Sequence, residues 1–522
     1  SCNNDRGNMG GSPNNLAANS TIATHKTKVN WLEWSNSAFK KAREEDKPIL
    51  LDISAVWCHW CHVMDETTYG DEDVAKLINT HFIPIRIDTD KRPDINDRYN
   101  MGGWPTTAFL TPEGKIIAGA TYVPPEQMTD ILDKVRNGYS SSKQVILDEI
   151  AKRDKNIETI RSGSASKKTV LSRDIMEKTV DSVVGSYDSF YGGFGGAPKF
   201  PMINSLNLLL QNYYETKSDT TKSIIIKTLT AMSTRGMYDS IDGGFFRYST
   251  NESWTVPHFE KMSEDNAGFI KLYLEAYQLT GEKLFKDKAV ETIKYVLSSL
   301  ANKDRFIFYG SQDADENYYI KSVDERRRLA PPYTDKTAYT NWDCMMSSSF
   351  LKAAAILAEE DRELSNRIET FALENISFLI HNAFDRENGM MHYHDGEKAY
   401  APYLLRDQVW MIKIELDAYE YTGERPYLEY AEELTDLMLK NFWSESENGL
   451  MDTIQTNSTK SNGELAVHKK NLSENALAAE CLIRLYHITG EKYYKNRAEA
   501  ILSGFPDYSN NYSHFTSEYA EA

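Results

Sequence analysis

The apolar and polar positions divide the chain into two parts with different periodicities. The first part has continuous apolar runs at residues 48–56, 82–87 and 107–110, which are typical of buried strands, and a helix-like segment follows the first run. A turn at residues 112–115 predicts a hairpin after the third run. From about residue 168 onward, the pattern is mostly that of amphipathic helices. The sequence therefore predicts an α/β domain followed by an all-α domain.

The helical part repeats itself. A Tyr-x-x-Thr-Gly-Glu motif begins at Tyr277, Tyr419 and Tyr486, at spacings that fit units of about 70 residues. In each copy the glycine ends one helix and the next helix begins at once. A longer Gly-bearing loop alternates with these turns, so each unit is a helical hairpin. Five to six hairpins predict an (α/α)6 toroid whose long loops surround one mouth, with an open superhelix of helix pairs as the alternative.

The first apolar run leads directly into the sequence Trp-Cys-His-Trp-Cys-His at residues 57–62. A strand that delivers C-x-x-C to a helix N-terminus is the thioredoxin arrangement, and the helix end favours a thiolate on Cys58. Cys61, one turn later, is placed to close the disulfide. Asp52 supplies a carboxylate on the preceding strand, and Pro105 enters a later strand as a cis-proline would. These four residues predict a redox-active dithiol site.

Three other interpretations of the cysteine pair were open. Cys61 and His62 complete C-x-x-C-H, the attachment pattern of c-type haem. Cys58, Cys61, His59 and His62 are all zinc ligand types, although four ligands within five residues do not easily close one tetrahedron. The pair could also be structural and inert.

Composition narrows the function classes. The chain has 522 residues, so two or three domains are expected, and its net charge of −18 argues against nucleic acid and anionic membrane surfaces. No run approaches the length of a membrane helix. The 31 tyrosines and 9 tryptophans suit a cleft for carbohydrate. No cofactor and no metal is predicted.

The remaining cysteines predict different roles. Cys344 and Cys481 lie in apolar helical segments and are expected to be buried free thiols. Cys2 precedes a polar spacer rich in Asn and Gly, as the lipid-bearing cysteine of a bacterial lipoprotein does. We therefore expect an extracytoplasmic protein that contacts the membrane only through a lipid on Cys2. A cytoplasmic protein with an arbitrary start is the alternative.

The expected organisation follows from these segments. It has four parts: a disordered tether at 1–28, a thioredoxin-like domain at 29–137, a helical linker at 138–167 and the barrel at 168–522.

Several motifs together resemble one family. They lie at residues 31–35, 58–64, 91–95, 102–105, 195–201, 243–249, 254–262, 265–266 and 313–315. The chain resembles the spermatogenesis-associated protein 20 family and its bacterial relatives, although its segment between residues 94 and 102 is shorter than is usual there. The resemblance implies a thioredoxin-like domain joined to a barrel like those of six-hairpin glycosidases and N-acylglucosamine 2-epimerases. Such a resemblance determines a fold better than a reaction.

The barrel has a dense polar cluster beside its Gly-Gly loops. The candidate catalytic residues there are His258, Glu260, Asp265, Asp313 and Asp315. The candidate ligand-binding residues are Trp57, Trp60, Arg247, Trp254 and Lys261. Glycosidases need two carboxylates, and epimerases of the related barrel use histidines to move a proton. The alternative is that these residues are structural: His258 is then hydrogen-bonded in a tight turn, and Asp313 and Asp315 cap a turn or hold a cation.

Two function classes follow. The first is an enzyme that joins a thiol–disulfide oxidoreductase domain, acting on a dithiol or disulfide client or reductant, to a barrel active on carbohydrate. The second is a non-catalytic scaffold, in which the barrel binds sugar or protein and the dithiol senses redox state.

Overall fold

The computed structural model describes residues 27–164, 169–454, 462–506 and 511–522. Cys2 and almost all of the expected tether lie outside the described residues, so the lipid anchor and the disorder of that segment stay predictions. Within the described residues, no helix is both long enough and apolar enough to span a membrane.

The first domain is a four-stranded sheet with helices on both faces. Its elements in chain order are α1 (Asn36–Glu45), β1 (Ile49–Ser54), α2 (His59–Glu66), α3 (Glu72–His81), β2 (Ile83–Asp88), α4 (Pro93–Tyr99), β3 (Thr106–Leu110), β4 (Ile116–Ala120) and α5 (Pro125–Ser164). The strand order is β2-β1-β3-β4. β1 is parallel to β2 and antiparallel to β3, and β3 is antiparallel to β4. This arrangement confirms the predicted thioredoxin-like α/β fold.

Every residue of β1 is buried, because both faces of the sheet are covered. On one face Ile53 packs with Phe39 of α1 and Ile95 of α4. On the other face Leu50 packs with Ile78 of α3 and with residues of α5. A strand that is buried on both sides has a continuous run of apolar residues, which is why β1 could be predicted from the sequence.

Helix α5 continues through most of the segment expected to be a linker. It has a break at Ser142, where the backbone leaves helical geometry. Beyond the break it packs back on the first domain, where Arg153 donates to the carbonyl oxygen of Ile116 at 3.0 Å. Asp154 also forms an ion pair with Lys115 at 2.8 Å. This part of the chain is therefore attached to the sheet rather than extended between two domains.

The second domain is built from alternating outer and inner helices. The outer helices are α6 (Asp174–Gly185), α8 (Asp219–Thr234), α10 (Lys283–Ser299), α14 (Arg362–Ala383), α16 (Arg425–Phe442) and α18 (Lys492–Ser503). The inner helices are α7 (Ile203–Thr216), α9 (Ser263–Thr280), α13 (Thr340–Leu357), α15 (Leu405–Thr422), α17 (Leu472–Thr489) and α19 (Ser517–Glu521). Each inner helix contacts the next, and the short α19 contacts both α17 and α7. The ring is closed, so the (α/α)6 prediction is confirmed and the open superhelix was wrong.

The three Thr-Gly-Glu motifs form the tight turns that the sequence predicted. Gly281, Gly423 and Gly490 cap α9, α15 and α17 with φ angles of 77°, 73° and 78°. Their amides donate to Tyr carbonyl oxygens four residues earlier, each at 2.8 Å. Glycine adopts this left-handed conformation without steric cost, so the next helix can begin at once.

The long loops lie at the other end of the barrel, which we call the mouth. They contain two short helices, α11 (Glu316–Tyr319) and α12 (Val323–Arg326). They also contain the two-residue strands β5 (Tyr248–Ser249), β6 (Pro257–His258), β7 (Lys261–Met262), β8 (Ala301–Asn302), β9 (Ile307–Phe308), β10 (Ser311–Gln312), β11 (Thr334–Asp335), β12 (Ala338–Tyr339), β13 (Phe384–Asp385), β14 (Gly389–Met390), β15 (Tyr393–His394), β16 (Ala399–Tyr400), β17 (Trp443–Ser444) and β18 (Gly449–Leu450).

The first domain lies over the mouth. Arg98 of α4 forms a buried ion pair with Asp452 at 2.8 Å and also donates to the carbonyl oxygen of Val467 at 2.7 Å. Next to it, Arg406 of α15 forms an ion pair with Asp97 at 2.9 Å. Buried charges that pair across a junction are costly to separate. The two domains therefore form one docked unit.

Candidate functional site

The two cysteines of the C-x-x-C motif form a disulfide at the start of α2. Their Cα atoms are 5.2 Å apart. Cys58 caps the helix, and its Sγ accepts a hydrogen bond from the amide of Cys61 at 3.2 Å. A sulfur at a helix N-terminus that faces a backbone N–H is stabilised as a thiolate when the disulfide is reduced. The pair therefore has the geometry of a redox dithiol, with Cys58 as the thiolate.

Asp52 lies on β1, the strand that leads to the C-x-x-C motif, and is fully buried. Arg86 donates from Nε to its Oδ2 at 2.6 Å, and the Tyr69 hydroxyl donates to Oδ1 at 3.4 Å. Burial raises the pKa of Asp52 to about 6, although the Arg86 charge opposes the shift. Asp52 can therefore take up or release a proton near neutral pH. The Trp104–Pro105 peptide bond is cis, as the sequence predicted.

The barrel covers the cysteine pair. Cys58 and Cys61 are only 4% and 3% exposed. They share a packed apolar cluster with three residues from the loops and helix starts at the mouth, Met262, Tyr339 and Trp342. No pattern along the chain indicates this cover, because the residues that form it are far from the cysteines in the sequence.

Arg247 of the barrel contacts the C-x-x-C segment through Trp57. The Trp57 indole donates to Asp90 Oδ2 at 2.7 Å and lies 4.5 Å from the guanidinium carbon of Arg247. The same guanidinium lies 4.9 Å from the Trp104 ring. The Arg247 guanidinium therefore contacts both tryptophan rings, which lie at 74° to each other with their centroids 5.6 Å apart. This places a barrel cation next to the redox site.

His62 contacts the barrel from the first turns of α2. Its Nε2 lies 3.0 Å from the carbonyl oxygen of Val56 and 3.4 Å from Asp313 Oδ1. Burial lowers the pKa of His62, but the hydrogen bond and charge of Asp313 outweigh that effect and raise it. The two cysteine sulfurs are bonded to each other in a disulfide. Over the described part of the chain, no group of three or more His, Cys, Asp or Glu side chains could hold a metal ion.

A cavity of about 640 Å³ lies in the barrel just below the first domain. Its charged lining residues are Arg247, Glu264, Asp265, Lys271, Arg406, Glu474 and Glu518. Most of them come from the first turns of inner helices, which begin at the mouth. The cavity thus contains both charge signs on a lining that is otherwise largely apolar, and it has the size of a small-molecule site.

Burial perturbs the acids of the cavity. It raises the pKa of Asp265 to about 8, with a further contribution from the nearby Glu264 charge. It raises the pKa of Glu474 to about 7 against the opposing charge of Arg406. Acids that titrate near neutral pH inside a cavity can donate and accept protons from a bound molecule. Asp265 was a candidate catalytic residue of the sequence, whereas Glu264 and Glu474 were not.

A repeat could have revealed these residues. Asn266, Asp343, Gln408 and Asn475 occupy equivalent positions in the first turns of four inner helices. Each accepts a hydrogen bond from the backbone N–H of a mouth loop, at Phe245, Phe308, Met390 and Leu450 respectively. The residues just before each anchor line the cavity, and Glu264, Arg406 and Glu474 are among them. An alignment of the helix starts would therefore identify the cavity lining.

The other catalytic candidates lie in the loops next to the cavity. His258 Nδ1 is 2.6 Å from Glu260 Oε1, and the imidazole stacks on Tyr248. β7 pairs with β10, which brings Glu260 toward Asp313. Asp315 caps α11 by accepting a hydrogen bond from the amide of Tyr318. The structure therefore brings His258, Glu260 and Asp313 to one side of the mouth, whereas Arg247 and Asp265 line the cavity itself.

Two candidates for ligand binding are buried in structural contacts. Lys261 donates to Asp239 Oδ2 at 2.8 Å and to the carbonyl oxygen of Gly243 at 2.7 Å. Trp254 is fully buried and donates to the carbonyl oxygen of Gly192 at 3.0 Å. Lys261 and Trp254 each donate a hydrogen bond to a different Gly-Gly loop and thereby stabilise that loop.

Trp60 and Trp57 differ in exposure. Trp60 is 48% exposed next to Cys61, and its ring lies 5.2 Å from Tyr122. Trp57 is buried beneath Arg247. Trp60 is thus the accessible aromatic side chain near the disulfide.

These features define a thioredoxin-like disulfide domain joined to an (α/α)6 barrel. Residues 14–158 match the family model Thioredox_DsbH, described as a protein of unknown function, DUF255. Spermatogenesis-associated protein 20 of Homo sapiens is 25% identical over 619 residues, which cover 92% of this chain and 76% of that protein. This similarity confirms the resemblance that the motifs indicated.

The two domains also have separate relatives. Thiol:disulfide interchange protein DsbD 1 of Pseudomonas aeruginosa is 33% identical over 94 residues, 16% of each chain. The barrel is similar to the structure of cellobiose 2-epimerase from Bacillus thermoamylovorans, with a TM-score of 0.51 and 13% identity over 63% of this chain and 85% of that chain. At that identity the second match supports the fold alone.

Proposed function

We propose that the protein carries out thiol–disulfide exchange, with Cys58 as the attacking thiolate and Cys61 as the resolving thiol. The observation that carries the proposal is the hydrogen bond from the Cys61 amide to Cys58 Sγ at a helix N-terminus. This contact favours the thiolate that attacks a disulfide.

The surroundings of the pair support the same function. Asp52 is buried on β1 with a pKa of about 6, which suits a group that takes the proton of the resolving thiol. The similarity to a thiol:disulfide interchange protein agrees with this role. The chemistry is a two-electron exchange between the dithiol and a client or reductant.

A redox titration of the complete chain tests the proposal. The protein is equilibrated with mixtures of reduced and oxidised dithiothreitol, and tryptophan fluorescence reports the state of the pair because Trp57 lies beside Cys58. We expect one two-electron transition, which Cys58→Ser abolishes. Cys344→Ser is the matched control, because Cys344 is a buried free thiol. No transition in the wild-type protein, or the same transition in Cys58→Ser, would exclude redox function.

A second function concerns the cavity: binding and conversion of a carbohydrate-type ligand. The observation that favours it is the pair of cavity acids Asp265 and Glu474, whose pKa values lie near neutral pH. Trp410 also lines the cavity and offers a ring on which a sugar can stack. The fold shared with a sugar epimerase agrees with this proposal without establishing a reaction.

A ligand screen tests this second function. Free sugars and oligosaccharides are assayed for binding, hydrolysis and epimerisation with Asp265→Asn and Glu474→Gln, and with Glu433→Gln on an outer helix as the control. Turnover lost in the two cavity variants supports an enzyme. Binding without turnover supports the scaffold alternative. No binding of any sugar removes carbohydrate from the function.

The location also stays a proposal. We expect the complete precursor to be extracytoplasmic and to carry a lipid on Cys2. Cell fractionation with labelled fatty acid compares the precursor with its Cys2→Ala variant. A protein without lipid in the cytoplasmic fraction would contradict this expectation.

A further inference from the structure

Arg247 lines the cavity with a guanidinium that has no acceptor of its own. Within the described residues, its side chain forms neither a hydrogen bond nor an ion pair. The guanidinium carbon instead lies 4.5 Å and 4.9 Å from the ring centroids of Trp57 and Trp104. Aromatic rings attract the charge, but they do not accept conventional hydrogen bonds from the five N–H donors of an arginine. These donors are therefore available to a molecule in the cavity.

The other two cations of the cavity lining have acidic partners. Arg406 forms ion pairs with Asp97 at 2.9 Å and with Glu474 at 3.1 Å. Lys271 lies 4.0 Å from Glu275, one turn along α9. Among the charged residues that line the cavity in the described part of the chain, Arg247 is therefore the cation without an acidic partner.

The nearest acids do not occupy Arg247. Glu264 and Asp265 lie in the first turn of α9, and their charges interact with Arg247 without forming an ion pair. Glu264 accepts a hydrogen bond from Trp342, and burial raises its pKa. Burial also raises the pKa of Asp265 to about 8, so this carboxyl group is mostly protonated at pH 7. Arginine keeps its proton at any such pH. The cavity therefore has a positive group to which an anion can bind.

A carboxylate matches this group better than a phosphate does. The planar guanidinium forms two parallel hydrogen bonds with the two oxygens of one carboxylate. A phosphate monoester carries about 1.5 to 2 negative charges at pH 7. With one unpaired cation in the lining, Arg247 balances a single negative charge. The geometry favours a monoanionic carboxylate group.

Aromatic rings connect the entrance of the cavity with Arg247. Phe200 and Phe515 line the cavity and are 42% and 77% exposed, so solvent reaches it from their side. Phe200 stacks on Tyr248 with the ring centroids 4.8 Å apart, and the Tyr248 ring lies 5.8 Å from the Arg247 guanidinium. The apolar face of a sugar ring or a methylene chain can lie on such rings. An organic acid can therefore place its body at the entrance and its carboxylate at Arg247.

We infer that the cavity binds a small organic acid and that Arg247 pairs with its carboxylate. The inference rests on the proposal that the cavity holds a carbohydrate-type ligand, and it adds the charge of that ligand, so a sugar acid is expected. Trp57 and Trp104 belong to the first domain, whereas Arg247 belongs to the barrel. The binding site is therefore complete only when the two domains are docked.

Isothermal titration calorimetry of the full-length protein at pH 7 tests the inference. Glucuronate, glucose and glucosamine have similar sugar rings and carry a negative charge, no charge and a positive charge. Glucose 6-phosphate carries a phosphate on the same ring, and suberate carries carboxylates without a sugar. We expect glucuronate to bind about tenfold more tightly than glucose, the size of one charge-assisted hydrogen bond. It should also bind more tightly than glucosamine and glucose 6-phosphate.

A variant addresses Arg247 directly. Arg247→Gln should weaken glucuronate binding by about tenfold and leave glucose binding unchanged. Arg425→Gln, on α16, is the matched control because the Arg425 side chain is 80% exposed, and it should bind both sugars as the wild-type protein does. Unchanged glucuronate affinity in folded Arg247→Gln would overturn the inference. Equal affinities of the wild-type protein for glucuronate and glucose would overturn it without any variant, and would leave carbohydrate binding standing.

The remaining ligands separate the charge of the ligand from its sugar ring. Tighter binding of glucose 6-phosphate or of glucosamine than of glucuronate would overturn the assignment to a carboxylate. Binding of suberate without binding of any sugar would support the carboxylate site and remove carbohydrate from the function. No binding of any of the five ligands would overturn both the inference and the proposal on which it rests.

Discussion

His392 of the barrel is hydrogen-bonded through Nε2 to the backbone carbonyl oxygen of Asp90 in the first domain, at 2.7 Å. A carbonyl oxygen only accepts, so Nε2 carries the proton. The other nitrogen, Nδ1, lies 2.9 Å from Asp407 Oδ2. Asp90 in turn accepts the indole N–H of Trp57, the residue before Cys58. One chain of hydrogen bonds therefore runs from an inner helix of the barrel to the dithiol segment.

We predict that His392→Ala loosens the cover over the dithiol. The variant removes the hydrogen bond from the His392 side chain to the Asp90 carbonyl oxygen, so the first domain should separate more often from the mouth. Alkylation of the reduced protein by iodoacetamide should become faster at Cys58, by about tenfold for a loss of roughly 1.4 kcal/mol. His381→Ala, on the exposed end of α14, is the control. Equal alkylation rates in both variants would show that His392 does not hold the domains together.

We predict that binding of a dicarboxylate weakens as pH rises through 8. Asp265 has a pKa of about 8, so it is mostly protonated below that pH and ionised above it. The ionised carboxylate competes with the ligand for Arg247 and repels an anion. Suberate is a dicarboxylate without sulfur, so it separates this effect from thiol ionisation. Calorimetry between pH 7.5 and 9.5 should show a fall in affinity that Asp265→Asn abolishes, and a fall of equal size in Asp265→Asn would assign it to another group.

The strands and turns can be predicted from the sequence more completely than the packing of the two domains against each other. Residues 48–56 are apolar because β1 is buried on both faces, and the Thr-Gly-Glu repeats mark turns whose glycines have positive φ angles. These are local properties, and local properties are visible in a sequence. The docking of the first domain on the mouth depends on single pairs such as Arg98 and Asp452, which are more than 350 positions apart. No pattern along the chain marks such a pair.

The residues of the candidate site could likewise be predicted only where they belong to a local pattern of the sequence. Cys58, Cys61, Asp52 and Pro105 share one local arrangement, so spacing alone identified them. Glu264, Asn341 and Glu474 line the cavity only because the ring of inner helices closes, and closure is a property of the whole barrel. Charge density along the chain pointed instead to loops, where Lys261 and Asp315 serve as structural contacts.

We predict that Lys261→Met destabilises the barrel without altering ligand binding. Lys261 is fully buried and pairs with Asp239, in the same way as Lys199 pairs with Asp188 in the preceding Gly-Gly loop. Removing one partner of a buried pair typically costs about 3–5 kcal/mol, and Arg326, which also pairs with Asp239, should reduce that cost. Urea unfolding measures the change, with the exposed Lys283→Met as the control. Normal stability combined with a loss of ligand binding would show instead that Lys261 is a ligand-binding residue.

The last prediction separates two tryptophans that the sequence placed together as ligand-binding residues. Trp254 is fully buried, donates its indole N–H to the Gly192 carbonyl oxygen and packs under Gly193, where a Cβ would lie 2.4 Å from its ring. Trp254→Phe removes that hydrogen bond and leaves a cavity, so the free energy of unfolding should fall by about 2–3 kcal/mol. Trp60→Phe keeps an aromatic ring at a half-exposed position and should change it by less than about 0.5 kcal/mol.

The rate of dithiol oxidation should show the opposite order, with a change in Trp60→Phe and none in Trp254→Phe. Trp60 lies beside Cys61 and is the accessible ring near the disulfide. Trp60→Phe should therefore change the rate of dithiol oxidation by small disulfides, whereas folded Trp254→Phe should oxidise at the wild-type rate because its side chain contacts a Gly-Gly loop. Urea unfolding and single-turnover oxidation of both variants check the pair of expectations. Equal losses of stability in the two variants would show that Trp60 also has a structural role, and slow oxidation in folded Trp254→Phe would connect the Gly-Gly loop to the redox site.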